Sequence, residues 1–197
     1  MTIGIIIAII VVILIGLFII LYNNLVKART YTQESWSQIN GQLKRRNDLI
    51  PNLVSTVQGY ASYEKSTLSK VVELRNQLVS VTDNPQANSV DRAQTMALSD
   101  QLSSQLKSVF ALSESYPDLK ASAEFTKLME ELTNTENKIA YSRQLYNSSV
   151  ASYNMKLQTF PSNLVASMTS FKAATYLQVP EEETKTPDVS FKKYEDL

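Results

Sequence analysis

The chain is 197 residues long, with only four glycines and six prolines, and its 19 basic residues balance 19 acidic ones. It contains neither cysteine nor histidine, which excludes disulfides, thiolate nucleophiles, a Ser-His-Asp triad and a Glu-x-x-His metal site of the ferritin type. The balanced charge and the lack of a basic stripe interleaved with aromatics leave no footprint for nucleic acid, and so few turn-forming residues favour long helices over sheets.

Residues 3–22 form an uncharged apolar run of about twenty residues, enough to cross a hydrocarbon core of roughly 30 Å as a helix. No basic residue precedes it and no small-residue cleavage pattern closes it, so it reads as a retained anchor and not a signal peptide. Lys27, Arg29, Lys44, Arg45 and Arg46 follow the run, which by the positive-inside rule places Met1 outside, Tyr22 at headgroup level and the body in the cytoplasm. Gly4, Ala8 and Gly16 share one i+4 row, interrupted by Val12. Such spacing lets two span helices approach closely, although small residues also fall on one row by chance.

Trp36, Ile39, Leu43, Ile50, Leu53, Val57, Tyr60, Leu68, Val71 and Leu78 recur at threes and fours, the period of one buried helical face. The phase passes through Pro51, despite the hydrogen bond a proline removes. This predicts one long bent helix, or two nearly in line, continuous with the anchor, and not a hairpin. Thr82-Asp83-Asn84-Pro85 marks a break. A second helix is expected from Asn88 or Ser89, turning Val90, Ala93, Ala97, Leu102, Leu106, Val109 and Phe110 inward. A third starts at Pro117 and carries Leu119, Phe125, Leu128, Leu132, Ile139, Tyr146, Val150, Tyr153 and Leu157 inward, ending near Phe160-Pro161. A short helix then turns Leu164, Val165, Met168 and Phe171 inward, with Tyr176 a further candidate. The resulting division is an anchor over 1–24, a helical body over 25–178 and a polar tail over 179–197. The tail has too few apolar residues to offset the entropy of ordering it. Its Val189, Phe191 and Tyr194 either lie along a partner's groove or strand edge or are stray apolar residues.

Several polar residues interrupt the stripes. Arg46 lies between Leu43 and Ile50, Glu64 lies between Tyr60 and Leu68, and Glu136, Arg143, Asn147 and Asn154 fall near the inner side of the third helix. A charge facing a bundle core is costly unless paired, so cross-helix pairing of Arg46 or Asp48 with Arg143 or Glu136 is expected. Such groups can fix helix register, line a ligand or catalytic site, or sit at the stripe edge with long side chains reaching water. Neither a pocket nor a perturbed pKa is readable from sequence, so register or edge placement is preferred to a site. Ten tyrosines supply bulk with a polar handle.

Tyr22-Asn23-Asn24-Leu25-Val26 after the anchor, Trp36-Ser37-Gln38-Ile39, and Gln42-Leu43-Lys44-Arg45-Arg46-Asn47-Asp48-Leu49-Ile50-Pro51-Asn52-Leu53-Val54 resemble the LemA family. Val57-Gln58-Gly59-Tyr60-Ala61, Tyr116-Pro117-Asp118-Leu119-Lys120, the segment Leu132 to Ile139, Arg143, Tyr146-Asn147, Tyr153-Asn154 and Phe160-Pro161-Ser162-Asn163 extend the resemblance over nearly the whole chain. It implies an all-α fold, with a single N-terminal transmembrane helix followed by an elongated antiparallel bundle of long helices. It implies no enzymatic chemistry and no catalytic residues. Members of the family are often encoded beside a membrane zinc metalloprotease of the HtpX type, and some are linked to internal-membrane organisation. The expected function is a non-enzymatic, homo-oligomeric membrane scaffold or adaptor. It would stand in the lipid bilayer, without cofactor or metal, and organise or regulate membrane proteins such as an HtpX-type protease. Membrane shaping and small-molecule sensing are the alternatives.

Overall fold

The computed structural model describes residues 2–60, 65–82 and 89–178. Tyr63, Glu64, the Asp83–Pro85 break and the tail with Val189, Phe191 and Tyr194 lie outside them. Among the described residues six helices follow in order: α1 (Thr2–Tyr60), α2 (Lys65–Thr82), α3 (Ser89–Ser113), α4 (Pro117–Lys120), α5 (Ala123–Gln158) and α6 (Ser162–Met168). No strand occurs among the described residues.

α1 is one helix of 59 residues, about 88 Å long at 1.5 Å per residue. Its first twenty residues are long and apolar enough to cross a membrane, and none of them is fully buried in the protein. From Leu25 onward the same helix turns a protein-buried face inward, with Thr32, Trp36, Ile39, Leu43, Arg46, Ile50, Leu53 and Val57 at alternating fours and threes after Thr32. Anchor and body are thus joined by continuous helix.

The helix runs through Pro51. Proline has no N–H, so the carbonyl four residues earlier, Asn47 O, loses its helical donor. Arg75 supplies one: its Nε donates to Asn47 O at 2.9 Å. Arg75 belongs to α2, which therefore lies back along α1 with Leu68, Val71, Leu74 and Leu78 packed into the core beside Ile50, Leu53 and Val57. This corrects the expectation of one rod through Leu78. The stripe does pass Pro51 in phase, but α2 runs opposite to α1, because two antiparallel helices offer the core the same three-four spacing as one continuous helix.

α3 runs parallel to α1, its Arg92 at the level of Trp36 and its Ser99 and Ser103 at the level of Arg46. Its inner face differs from the expected one. Ala93 and Ala97 are exposed, while Thr95, Met96, Ser99, Leu102, Leu106, Val109 and Ser113 are buried. The expected third helix is likewise divided. Pro117 starts the four-residue α4, and α5 starts afresh with Ser122 as its N-cap, the Ser122 hydroxyl accepting from Phe125 N at 3.4 Å. α5 then returns antiparallel to α1 in one register, with Glu136 facing Arg46, Tyr146 facing Trp36 and Leu157 packed near Leu25. Small side chains at Thr135, Ser142 and Ser149 alternate along its seam with Ile139, Tyr146 and Tyr153, so large groups from α1 meet small ones.

The four-helix part stops short of the membrane, since α3 begins at the level of Trp36. Below it, the space beside α1 and α5 is filled by α6 and by an extended strap, residues 171–178. α6 ends in a Schellman turn: Ser170 adopts the left-handed region at φ 57°, and Phe171 N bonds Ala166 O at 3.3 Å, as this motif requires.

The link between Pro51 and Arg75 is open to a double-mutant cycle. Arg75→Ala should cost about 1.5 kcal/mol in the natural chain, the low end for a hydrogen bond from a charged donor because this one is only part-buried. In a Pro51→Ala background, where the helix supplies Asn47 O with its own donor, the cost should fall by at least half. Denaturant melts of the four variants measure the coupling.

Candidate functional site

The most unusual feature of the core is a polar spine where α1, α3 and α5 meet. Arg46 is fully buried, at 0% exposure, on the α1 seam between Leu43 and Ile50. Its Nη1 donates to Glu136 Oε2 and to Ser103 Oγ, each at 2.8 Å, and its Nη2 donates to Ser99 Oγ at 2.8 Å. Ser103 Oγ donates in turn to Glu136 Oε1 at 2.8 Å. The Arg46 Nε–H has no partner among the described residues. Burial pushes the Arg46 pKa down; Glu136 and Asp100 pull it back and Arg143 adds repulsion. A guanidinium nevertheless stays charged in proteins, so this is a fixed cation and not a proton carrier.

Two further layers continue the spine toward the anchor. Arg143 on α5 pairs through Nη2 with Asp100 Oδ1 on α3. Next, the Arg92 guanidinium lies over the Trp36 ring at 5.2 Å and near the Tyr146 ring at 5.8 Å, and its Nη1 donates to Tyr146 Oη at 3.2 Å. Trp36 and Tyr146 meet edge to face at 5.9 Å. In each layer a charge on one element is answered by a group on another, so the spine fixes the angular and axial setting of α3 against α1 and α5. This explains the altered inner face of α3: Ser99 is buried because its hydroxyl receives Arg46.

Of the residues expected to pair, Arg46 and Glu136 are brought together. Arg143 pairs with Asp100 of α3, and Asp48 is exposed and outside the spine. Gly4 and Ala8 are exposed on α1 and Gly16 is half-buried, and a Cβ added at Gly4 or Gly16 would meet nothing within 4 Å. Among the described residues, no cluster of three or more Asp, Glu, His or Cys side chains stands ready for a metal.

A second polar arrangement holds the strap to α5. The Asn154 side chain donates to Ala174 O at 2.8 Å and accepts from Ala174 N at 2.9 Å. Asn147 does the same with Leu177, at 3.0 and 2.9 Å. Each amide thus stands in for a neighbouring strand. Tyr153 Oη donates to Lys172 O at 2.9 Å and Tyr146 Oη to Thr175 O at 3.1 Å. Burial raises the Tyr153 pKa, which keeps its phenol a donor. The two Tyr-Asn pairs lie seven helical residues apart, about 10 Å, and three extended residues cover about the same distance. The strap accordingly turns Phe171, Ala174 and Leu177 toward the protein at every third position, leaving Tyr176 51% exposed. The expected inward placement of Tyr176 is therefore replaced by Leu177. The sequence signal for this clamp is the repeated Tyr-Asn pair at heptad spacing, which reads as polar intrusion until the strap is seen.

Two measurements test these sites. Glu136→Leu strands a buried cation and should cost roughly 2–4 kcal/mol, the lower part of the range for a broken buried pair because the Glu136 side chain is 41% exposed. Arg46→Met leaves a carboxylate that water can reach and the neutral hydroxyls of Ser99 and Ser103, so thermal melts should show a markedly smaller loss. Asn154→Asp keeps an acceptor but leaves Ala174 O without its donor. It should free the strap and speed trypsin cleavage after Lys172, leaving helix content unchanged.

A family model described as the LemA family matches residues 35–191. The Protein LemA of Metamycoplasma hominis is 29% identical over 89% of this chain and 79% of its own length. The magnetosome protein MamQ 2 of Paramagnetospirillum magneticum is 25% identical over 80% of this chain, and magnetosome protein MamQ of Magnetospirillum gryphiswaldense is 24% identical over 79%. The chain spans 64% of the length of each of these two magnetosome proteins.

Proposed function

The chain belongs to the LemA family, and from that premise we propose that it is a non-enzymatic, membrane-anchored scaffold that holds its helical body at a set height and angle above the bilayer. The observation that carries this reading is the unbroken α1, Thr2–Tyr60, which is anchor and bundle helix at once. A flexible leash would confine a body near the membrane; a continuous helix also orients it. The basic residues Lys27 and Arg29 directly after the span support placing Met1 outside and the body in the cytoplasm. The open small-residue row Gly4, Ala8 and Gly16 supports self-association within the bilayer. A membrane protease of the HtpX type is the partner class in view, approached laterally in the bilayer.

A second reading, organisation or shaping of the membrane itself, draws on the likeness to proteins named for the magnetosome. The two separate on vesicle shape, which the scaffold leaves unchanged.

The direct test inserts a flexible Gly-Ser segment between Asn23 and Asn24 of the full chain. Membrane integration should persist, while multimer size in nanodiscs and co-purification of an HtpX-type protease should fall. A monomeric natural chain with no membrane-protein partner, or an inserted segment without effect, would count against the scaffold.

A further inference from the structure

The α5–α6 end of the body lies closer to the membrane than a free-standing rod requires. Leu157 and the α6 residues Val165 and Ala166 pack around Leu25, together with Phe18 and Leu21. Phe18 and Leu21 belong to the apolar run. Phe18 lies one helical turn inside its end at Tyr22, a depth of about 6 Å. Whatever touches Phe18 must enter the lipid boundary with it.

The side of α6 turned away from α1 is apolar and bare. Leu164 is 54% exposed and Met168 75%, one turn apart on the same face, and Phe160 in the preceding turn is 74% exposed. Sequence periodicity turned Leu164 and Met168 toward the core, but that side of α6 is occupied by Val165 and Ala166. Among the described residues beyond the span, every strongly exposed Leu, Met or Phe lies between Met155 and Met168. Basic residues accompany the patch in sequence. Lys27 and Arg29 follow the span on α1, Lys156 and Lys172 stand on either side of α6 in the chain, and neither 23–33 nor 150–178 contains an acidic residue. Arg29 caps the Phe171 ring at 5.1 Å, and Phe171 meets Tyr22 edge-on at 5.8 Å. Aromatic rings and cations at one level are the side chains that favour the bilayer interface.

We propose that α6 and the Phe160 turn form a second membrane contact, a foot that seats Phe160, Leu164 and Met168 in the interfacial lipid of the leaflet from which α1 emerges. An interfacial helix buries its apolar face roughly 5–10 Å into the headgroup–acyl boundary, which matches the depth set by Phe18. The occupant is lipid because the patch is continuous with the lipid-facing surface of the span. The four cations add a preference for anionic headgroups. Span and foot are two attachment points, so the body is fixed in tilt and in rotation about α1. The inference depends on the membrane span and not on the scaffold reading.

The test uses the full chain in nanodiscs of phosphatidylcholine and phosphatidylglycerol, with bromine placed at different depths on the acyl chains. Phe160→Trp and Met168→Trp each add one indole to a chain whose own Trp36 is buried about 21 Å above Tyr22. Both new indoles should show blue-shifted emission, quenched most by bromine near the headgroup end, while the natural chain stays unquenched. Removing phosphatidylglycerol should reduce the quenching. Red-shifted emission that no brominated lipid quenches, in both variants with native helix content, would overturn the proposal. Blue-shifted but unquenched emission, lost when each disc holds a single copy, would overturn it in favour of a contact between copies.

Discussion

The backbone of α1 has to satisfy itself in two solvents. Over its first twenty residues there is no water to accept a broken hydrogen bond, so the helix must be complete. Over the rest, it must present a regular seam to α5 without a change of phase. Because these are one helix, the rotation of the span fixes which way the seam faces. Pro51, the one proline inside α1, takes a donor out of that bonding, and Arg75 answers it from α2. The weak point of the long helix is thereby the point where the returning hairpin is registered against it.

The polar spine shows a similar economy. Arg46, Arg143 and Arg92 each bind a group on another helix, in a core that aliphatic residues could fill at equal or lower cost. Their contribution is to specificity. An apolar seam with three-four spacing tolerates axial slips by a heptad, whereas such a slip of α3 would put Arg92 and Met96, or Leu106 and Phe110, where Ser99 and Ser103 receive Arg46. A body meant to present a fixed surface above a membrane benefits from being locked in one register. The strap is locked in the same manner by Asn147 and Asn154. It closes the bundle at the level where α2 and α3 are absent.

Much of this was legible in the residues. The anchor is legible in its length and lack of charge, and the passage through Pro51 in the unbroken phase; the cost of a buried charge points to cross-helix pairing among Arg46, Asp48, Glu136 and Arg143 but does not choose Glu136 for Arg46, nor Asp100 for Arg143. What was hidden was hidden for physical reasons. Periodicity reports a buried face and not chain direction, so the reversed direction of α2 left no trace in the stripe. Ala93 and Ala97 looked like the inner face of α3 because alanine is counted as apolar, while Ser99 is inside only through its partner on another helix. Leu164 and Met168 were assigned to the core because apolarity does not distinguish protein from lipid as the thing it faces. The strap has no periodicity of its own beyond the third-residue pattern imposed by α5.

Through α1, anchor and body form one stiff element, and a distance measured along that helix tests this most directly. The natural sequence has no cysteine, so Asn24→Cys and Gln58→Cys can carry the only two spin labels on exposed positions of α1. Pulsed dipolar spectroscopy of the full chain in nanodiscs should give a narrow distribution centred near 50 Å, the length of 34 helical residues at about 1.5 Å each. A broad distribution, or one centred well below that length, would mean that α1 is broken between membrane and bundle and would contradict the account.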